Sequence, residues 1–325
     1  MPACDSLACP RMVYYTQLLN VAKHVAWVER GCRPKSWAPL SISSRRNTWK
    51  KITIGDVEIV ALTDGAGLVQ PLDHTFPAVR AEQWGPYYQR YPRVFADASR
   101  WYLQYDYYVV RTPQQTVMVD TGVGPGPYMG VVYGRLPQAL REHEIDPEEV
   151  TIVFLTHAHS DHVGWNFTPQ GVPLFPNARY MLHQDEWDFY QLPAVKMSIA
   201  PYVDHMLTPL KTLGMLELLA DRQSLTREVV AIPTPGHSPG HMSLLISSHN
   251  QQALVGGDAI LHPAQVSEPD WCSVFDMENG PTVATRRHLL DMLEAERIVL
   301  AVGHFPSPGF GRIIRQDGRR YWEAF

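Results

Sequence analysis

The stretch that decides the fold reads Thr156-His157-Ala158-His159-Ser160-Asp161-His162-Val163-Gly164, and it continues the β-branched, apolar run at 150–156. Its imidazole and carboxylate side chains are ligand types that bind zinc and similar divalent ions. His157 and His159 are two residues apart, so in extended backbone they point the same way. Asp161 and His162 begin the next turn and can face a second point nearby. The sequence therefore predicts a strand-to-loop corner that supplies ligands to two metal ions.

Three further candidate ligands lie downstream, each after an apolar predicted strand and beside glycine or proline. They are His237 in Thr-Pro-Gly-His-Ser-Pro-Gly (234–240), Asp258 in Gly-Gly-Asp-Ala (256–259) and His304 in Val-Gly-His-Phe (302–305). Loops at strand ends are where a rigid scaffold usually presents functional side chains. We therefore expect these residues to join the histidine motif in one site.

The composition of the chain excludes several protein classes. The 325 residues are 45% hydrophobic and 19% charged, which is typical of globular proteins. No apolar run reaches the ~18–20 residues that a membrane-spanning helix needs. The net charge of −5 disfavours general nucleic-acid binding. Four cysteines without a C-x-x-C pair exclude a thiolate zinc ribbon and a disulfide-dense scaffold.

The first fifty residues differ in composition from the rest of the chain. Residues 1–51 contain nine Lys and Arg against two acidic residues, a net of +7, and three of the four cysteines. We predict a poorly ordered N-terminal extension at 1–50 and one folded domain at 51–325. An organelle-targeting peptide is the alternative for the extension. Since no clear secretory signal is present, the expected location is cytoplasmic.

The hydrophobic pattern predicts strands that first form antiparallel pairs and then alternate with helices. A hairpin is expected around Gly55–Asp56, and the tyrosine-rich segment at 85–92, which has no strand or helix period, is predicted to be a loop. Two sheets with helices outside fit this order. Strands are predicted at 101–111, 116–120, 150–156, 180–183, 229–232, 241–247, 253–256 and 298–302, and helices at 136–144, 184–191 and 282–295.

The ordered set of seven candidate ligands resembles the metallo-β-lactamase superfamily over about residues 52–315. The resemblance implies an α/β fold, a four-layer αββα sandwich with the site at one sheet edge. It implies that one metal takes His157, His159 and His237. The other metal would then take Asp161, His162 and His304. Asp258 would bridge the two ions, with a hydroxide completing the bridge.

Two additional features are interpreted through the same resemblance. The Val-Met-Val-Asp-Thr-Gly stretch at 117–122 is similar to the family's Asp-Thr-Gly turn. Asp120 would there orient a ligating histidine by accepting its other N–H, and a turn-capping aspartate is the alternative. Trp165 follows the histidine motif and is a candidate for the substrate pocket, with core packing as the alternative. The aromatic residues between 84 and 108 have the same two interpretations.

Several departures from the family pattern limit the branches of the superfamily that the chain can resemble. None of the cysteines lies in a matching motif, which disfavours antibiotic hydrolysis, and His159 stands where the diiron flavoproteins carry glutamate. The stretches at 303–312 and 257–265 are similar to the branch of methyl parathion hydrolase and related lactonases. Other lactonases place a tyrosine where this chain has Leu261. His262 is the next residue, and we expect it to be a pocket wall or a contact behind the ligands rather than a replacement donor.

The function expected from the resemblance is that of a dinuclear hydrolase for small neutral lactones or carboxylic esters, with phosphotriesters as a further substrate class. Two divalent ions are required, with zinc expected and manganese, iron or cobalt as alternatives. Asp258 and Asp161 are the candidate catalytic residues, and Asp161 would pass a proton to the leaving group. A thioester or phosphodiester hydrolase of the same fold and a catalytically silent metal-binding module are the alternatives. No nucleic-acid or membrane partner is expected, and a homodimer is left open.

Overall fold

The described part of the chain begins with a β-hairpin. A computed structural model describes residues 50–325, so the predicted extension at 1–50 lies outside the description except for Lys50. Strands β1 (Lys51–Ile54) and β2 (Val57–Pro71) pair in antiparallel fashion around Gly55 and Asp56. Gly55 has a φ of +57°, and a Cβ there would lie 2.4 Å from Ser248 Oγ. The turn therefore needs glycine both for its backbone conformation and for its close approach to the second sheet.

Within residues 50–325, eight strands form the first sheet in the order β1-β2-β4-β5-β6-β7-β8, with β3 paired to β4. The strands from β5 to β8 run parallel to one another, and the earlier ones are antiparallel. This mixture confirms the predicted change from strand pairs to alternating strands and helices. The remaining strands of this sheet are β3 (Phe95–Asp97), β4 (Arg100–Arg111), β5 (Thr116–Val119), β6 (Ile152–Phe154), β7 (Arg179–His183) and β8 (Leu216–Leu219).

The second sheet contains seven strands of the described part, in the order β15-β14-β13-β12-β11-β10-β9. Only β12 and β13 are parallel in it, and they are connected through the longest helix. The strands are β9 (Gln223–Ser224), β10 (Val229–Pro233), β11 (Met242–Ser248), β12 (Gln251–Val255), β13 (Val299–Ala301), β14 (Phe310–Gln316) and β15 (Arg319–Ala324).

The α-helices connect the strands and cover the outer faces of the sheets. They are α1 (Leu72–Thr75), α2 (Gly85–Arg90), α3 (Leu136–Glu142), α4 (Ser160–Val163), α5 (Gln184–Gln191), α6 (Pro193–Ser198), α7 (Val203–Met206), α8 (Thr208–Thr212) and α9 (Asn279–Ala295). Short 3₁₀ helices occupy Ala81–Trp84, Pro92–Val94, Pro147–Glu149, Gly257–Ala259 and Pro263–Val266. None of the helices in residues 50–325 is both long and apolar enough to cross a membrane.

Two apolar cores hold the four layers together. The core between the sheets contains side chains of both sheets, among them Ile59, Val110, Val117, Val229, Leu244 and Val299. The larger core packs helices against the outer faces, with Leu136 and Leu140 of α3 and Leu289 and Leu293 of α9 fully buried. Central strands such as β4, β5 and β11 therefore bury one face in each core, which explains their nearly continuous apolar pattern. The layers are helix, sheet, sheet and helix, as predicted.

The prediction of a loop at 85–92 is wrong, because α2 occupies most of it. Pro86 lies in the first turn of this helix, where a missing N–H costs nothing. Tyr87 and Tyr91 are four residues apart and stack at a centroid distance of 6.4 Å. Both are buried, since that spacing places them on one face of a helix. The aromatic density reflects packing of this helix against the body.

The C-terminal hairpin of β14 and β15 was not predicted from the sequence, although its turn carries a recognisable signal. Asp317 and Gly318 lie between the two strands, and both have positive φ, 49° and 79°. Asp-Gly with two left-handed residues is a favoured two-residue hairpin turn. The hairpin contributes Trp322, which is 3% exposed, to the larger core.

Candidate functional site

The candidate site lies where the carboxyl ends of strands from both sheets meet. The loops that follow β6, β10, β12 and β13 carry the candidate ligands. Two backbone hydrogen bonds fix this edge: Met242 N donates to Thr156 O at 2.9 Å across the sheets, and Asp120 N donates to Phe154 O at 2.9 Å within the first sheet. Parallel neighbours present their carboxyl ends together, so residues distant in sequence converge here.

One group of candidate ligands contains His157, His159, His237 and Asp258, whose ligand atoms all lie within 4.8 Å of one another. His159 Nδ1 is 2.9 Å from His157 Nε2 and 3.0 Å from His237 Nε2. Ligands of one tetrahedral zinc ion at ~2.0–2.1 Å would be ~3.3 Å apart. The three imidazole nitrogens therefore have nearly the separation required to share one cation.

The second group contains Asp161, His162 and His304, also within 4.8 Å. Asp258 lies between the groups, because its Oδ2 is 3.3 Å from His162 Nε2, 3.4 Å from His304 Nε2 and 3.4 Å from His237 Nε2. The structure thus brings all seven sequence-predicted ligand candidates together. A single carboxylate oxygen faces imidazoles of both groups, which is the placement that a bridging ligand needs.

Asp120 and Thr156 fix the orientation of two histidine rings. Asp120 Oδ2 accepts hydrogen bonds from His162 Nδ1 and from Thr156 Oγ1, both at 2.8 Å. Since the Thr156 hydroxyl proton goes to Asp120, its oxygen can accept from His157 Nδ1, 3.0 Å away. Both rings then carry their proton on Nδ1 and present Nε2 to the cluster. Asp120 itself has a φ of 60°, an unusual conformation for a non-glycine residue that these hydrogen bonds maintain.

His237 and His304 are oriented in the same way by different partners. His237 Nδ1 donates to Asp276 Oδ1 at 3.0 Å, and His304 Nδ1 donates to the backbone oxygen of Gln104 at 2.8 Å. Asp276 is 6% exposed and lies 3.5 Å from Arg286, which is fully buried. This buried ion pair behind His237 was missed by sequence reasoning, because nothing in the local sequence around Asp276 marks it.

Two further buried residues hold the ligand loops in place. Glu186 accepts from Ala158 N and from Gly240 N, both at 2.9 Å, and so ties the histidine motif to the loop of His237. His241 Nε2 accepts from Asp258 N at 2.9 Å. Gly257 has a φ of +53°, and a Cβ there would lie 2.6 Å from His241 Nε2, so glycine is required for this contact. Both residues position ligands without belonging to a ligand motif.

The charges of the cluster fit divalent cations. Burial and the neighbouring imidazoles lower the pKa of His157 and His159, which keeps these rings neutral and able to ligate. Burial also opposes a charge on His162, but Asp258, Asp120 and Asp161 outweigh it and raise its pKa. Positive charge is therefore favoured beside the carboxylates, and a bound cation would supply it in place of protons.

Unsatisfied polar atoms point to the same conclusion. His162 Nε2 and Asp258 Oδ1 are buried in the cluster and have no hydrogen-bond partner among residues 50–325. Leaving such groups unpaired costs about 1–3 kcal/mol each. Nitrogen and carboxylate donors in this number match the ligand chemistry of zinc and related ions. The residues present therefore fit two divalent cations.

A cavity that is partly open to solvent adjoins the cluster. His159, Asp161, His237, Asp258 and His304 form its floor. Its walls are mainly apolar, with Leu68, Trp101, Leu103, Met129, Ile199 and Phe275 among them. No lysine or arginine belongs to the described lining. This combination of apolar walls and a few convergent polar groups is typical of sites for small neutral molecules.

The structure places Trp165 and His262 away from this cavity wall. Trp165 is 8% exposed and donates its Nε1 proton to Asp64 Oδ1 at 3.2 Å. His262 is fully buried and lies edge-on to surrounding aromatic rings of Phe76, Trp84 and Trp101. Among the aromatic residues between 84 and 108, Trp101 and Tyr105 do border the cavity. The expectation of a pocket position for Trp165 thus gives way to its packing alternative.

Buried His262 makes a testable contribution to acid sensitivity. Burial lowers the pKa of His262 to about 3, whereas the unfolded chain has a histidine pKa of about 6.5. Below pH ~6.5 the unfolded state therefore takes up a proton that the folded state excludes, and stability falls as the pH falls toward 3. His262→Asn keeps an acceptor for Ala264 N, and we expect its unfolding free energy between pH 6 and 4.5 to fall about 1 kcal/mol per pH unit less steeply than that of the wild type.

Urea unfolding in the presence of a chelator measures this difference without the contribution of bound metal. His249→Asn is the matched control, because His249 is an exposed histidine paired with Asp56. Parallel pH slopes for the wild type and His262→Asn would contradict the role of His262.

The Asp276 contact also leads to a prediction. Asp276→Asn can keep only one of two acceptor contacts, to His237 Nδ1 and to Ser273 N, and it removes the charge beside Arg286. Contacts behind a metal ligand typically contribute 10- to 100-fold to metal affinity. We expect Asp276→Asn to weaken metal binding by about that factor in a chelator competition titration. Asp291→Asn, at an exposed ion pair with Arg320, is the control, and equal affinities in both variants would contradict this assignment.

Comparison with known proteins agrees with this geometry. The family model described as the metallo-beta-lactamase superfamily matches residues 100–304. The Bacillus subtilis (strain 168) protein YobT is 30% identical over 240 residues, which cover 67% of this chain and 87% of YobT. N-acyl homoserine lactonase AiiA of Bacillus thuringiensis subsp. kurstaki is 25% identical over 218 residues, 61% of this chain and 79% of AiiA.

The fold is also similar to that of solved structures. AidC, described as a dizinc quorum-quenching lactonase, superposes with a TM-score of 0.72 at 23% identity, over 85% of this chain and 97% of AidC. The predicted αββα fold and the predicted kinship with hydrolases of the lactonase type are thereby confirmed. The histidine motif, the later ligand loops and the paired sheets have one common explanation: the chain belongs to the metallo-β-lactamase superfamily.

Proposed function

We propose that the protein is a dinuclear metal-dependent hydrolase that opens small neutral lactones or cleaves carboxylic esters. The observation that carries this proposal is the position of Asp258 Oδ2, which lies 3.3–3.4 Å from imidazole nitrogens of both ligand groups at the floor of an apolar cavity. The domain that carries this activity is 51–325. Lactonase activity of AiiA and AidC supports the choice of substrate class.

The residues that would hold the metal ions form two groups that share Asp258. His157, His159 and His237 would hold one ion, and Asp161, His162 and His304 the other. Divalent cations held there would polarise a carbonyl oxygen and make water a usable nucleophile at neutral pH. Zinc is the proposed metal, because the ligands are imidazoles and carboxylates and AidC is described as dizinc.

The residues of the chain supply orientation and a route for the proton. Hydrogen bonds donated by Nδ1 hold the rings of His162, His237 and His304 in place before substrate binds. Such pre-organisation avoids reorganisation during the reaction. Asp161 borders the cavity, and its carboxylate lies 3.7 Å from His162 Nε2 and His304 Nε2 without a hydrogen bond to any residue of 50–325. It is therefore placed to transfer a proton to a leaving oxygen.

The cavity walls favour neutral substrates. The charged carrier of an anionic thioester needs cationic side chains away from the metal ions, and no lysine or arginine lies in the described lining. Burial of an acyl or aryl group against apolar side chains instead makes the binding free energy more favourable. Lactones, carboxylic esters and neutral phosphotriesters satisfy these conditions. Thioester and phosphodiester substrates therefore serve as contrasting members of the test.

A substrate panel on the metal-loaded full chain tests the proposal. Metal content is measured by elemental analysis, and kcat/KM is compared for lactones, aryl esters, phosphotriesters, thioesters and phosphodiesters. We expect two ions per chain and the highest kcat/KM on a lactone or ester. A preference for phosphodiesters or thioesters would overturn the substrate class, and full metal loading without any turnover would favour the silent module.

A further inference from the structure

Four tyrosines line the cavity, and their hydroxyl groups differ in what they contact. They are Tyr105, Tyr128, Tyr190 and Tyr202. The Tyr202 hydroxyl donates to Ala158 O at 2.8 Å. The Tyr190 hydroxyl is sealed from solvent and lies beside the Tyr202 hydroxyl. Tyr128 approaches Ser160. The hydroxyls of Tyr190 and Tyr202 are thus enclosed or engaged, and that of Tyr128 lies beside Ser160.

Tyr105 is different because its hydroxyl makes no hydrogen bond within residues 50–325 and is not among the sealed polar atoms. Its ring lies edge-on to the His304 ring, with a centroid distance of 5.2 Å and an interplanar angle of 87°. A second edge contact to Tyr128 at 5.7 Å holds the other side of the ring. The residue as a whole is 1% exposed. A fixed phenol therefore directs a free O–H into the cavity beside Asp161 and His304.

The strand explains why Tyr105 faces the site. Side chains alternate along β4, so Tyr105 and Tyr107 share one face. The Tyr107 hydroxyl donates to the backbone oxygen of Asp161, and its ring lies edge-on to His162 at 5.7 Å. Tyr107 is thus committed to supporting the ligand loop. Tyr105, one step along the same face, has the same approach to the cluster but an unused donor.

We propose that Tyr105 is a catalytic residue whose hydroxyl donates a hydrogen bond to an oxygen of the scissile ester or lactone group. This inference rests on the proposed function, because it requires a substrate oxygen at the cavity floor. The substrate oxygen gains negative charge in the transition state. A hydrogen bond from a fixed donor to that oxygen is therefore stronger in the transition state than in the bound substrate. No described lysine or arginine competes for this position.

The protonation state of Tyr105 agrees with a donor role. A phenol ordinarily has a pKa of about 10, so the uncharged form is its usual form at neutral pH. The phenol therefore keeps its proton at physiological pH and cannot serve as a base. It remains an uncharged donor whose hydrogen bond gains strength in a site shielded from water.

Tyr105→Phe tests the proposal, because it keeps the ring contact with His304 and removes only the hydroxyl. We expect kcat on a lactone or aryl ester to fall on the order of 10²-fold, as for loss of one oxyanion donor, with metal content and melting temperature unchanged. Binding of an uncleavable lactam analogue, measured by calorimetry, should weaken about 2- to 10-fold. Tyr102→Phe is the matched control: Tyr102 lies on the same strand, is half-buried and does not border the cavity.

The outcomes separate three explanations. An unchanged kcat in Tyr105→Phe, with an active wild type, would overturn this inference and leave the proposed function intact. A fall in kcat that accompanies an altered visible spectrum of the cobalt-substituted protein would also overturn it, since Tyr105 would then act by positioning His304. Absence of turnover by the wild type on every neutral substrate would overturn the proposed function and the inference together. An unaltered cobalt spectrum with reduced kcat supports direct donation to substrate.

Discussion

Replacing Asp258 with alanine is expected to remove metal and hydrolysis together. Asp258 Oδ2 lies within 3.8 Å of the Nε2 atoms of His157, His162, His237 and His304, so its loss leaves both ligand groups without their shared carboxylate. The charge that balances two cations would also fall by one. Because metal-ion catalysis contributes several kcal/mol to transition-state stabilisation, we expect kcat/KM to fall by about 10³-fold or more.

Elemental analysis and kcat/KM on the same preparation measure both effects of Asp258→Ala. Asp56→Ala is the matched control, because Asp56 is an exposed aspartate that lies far from the candidate ligands in sequence. It pairs with His249. Retained binding of two ions by Asp258→Ala would contradict the bridging assignment. Loss of activity with two ions retained would instead leave Asp258 a catalytic role without a ligand role.

Asp161→Asn is expected to reduce turnover much more than stability. Asparagine keeps an oxygen that can face the second ligand group, but it cannot accept and return a proton. General acid–base groups typically contribute 10²- to 10⁴-fold, and we expect kcat to fall within that range. The carboxylate of Asp161 makes no close hydrogen bond within residues 50–325, so the melting temperature should change little.

The readouts for Asp161→Asn are kcat, metal content and thermal unfolding on one preparation. Asp270→Asn is the control, since Asp270 is an exposed partner of Arg287. An unchanged rate with full metal loading would count against proton transfer by Asp161. The loss should be smaller for an aryl ester whose leaving group is weakly basic, because such a group departs with less help from an acid.

Local patterns in the sequence were sufficient to predict much of the fold and to identify the candidate ligands. The alternation around Gly55 and Asp56 predicted the first hairpin, and the run before His157 predicted strand β6. The helix at Gln184–Gln191 was predicted with its observed bounds. These features depend on residues that are neighbours in the chain. Their hydrophobic period and turn residues can therefore be read from the local sequence.

Features that depend on distant residues escaped sequence reasoning. The burial of Trp322 depends on contact with Tyr91, which lies 231 residues earlier along the chain, as well as with Phe305. The sequence pattern of strand β8 is weak, and pairing with its parallel neighbour β7 stabilises the strand. Tertiary context decides such elements because β-strand preference reflects packing against neighbours.

By itself the sequence determined which residues can ligate metal, in what order they occur, and that each follows a strand. Only the tertiary structure decided that Asp258 lies between two imidazole groups, that Asp276 with Arg286 supports His237, and that Tyr105 rather than Trp165 faces the cavity. The physical reason is that ligand identity is a local chemical property. Distances of 3–4 Å between side chains a hundred residues apart are set by sheet register and core packing.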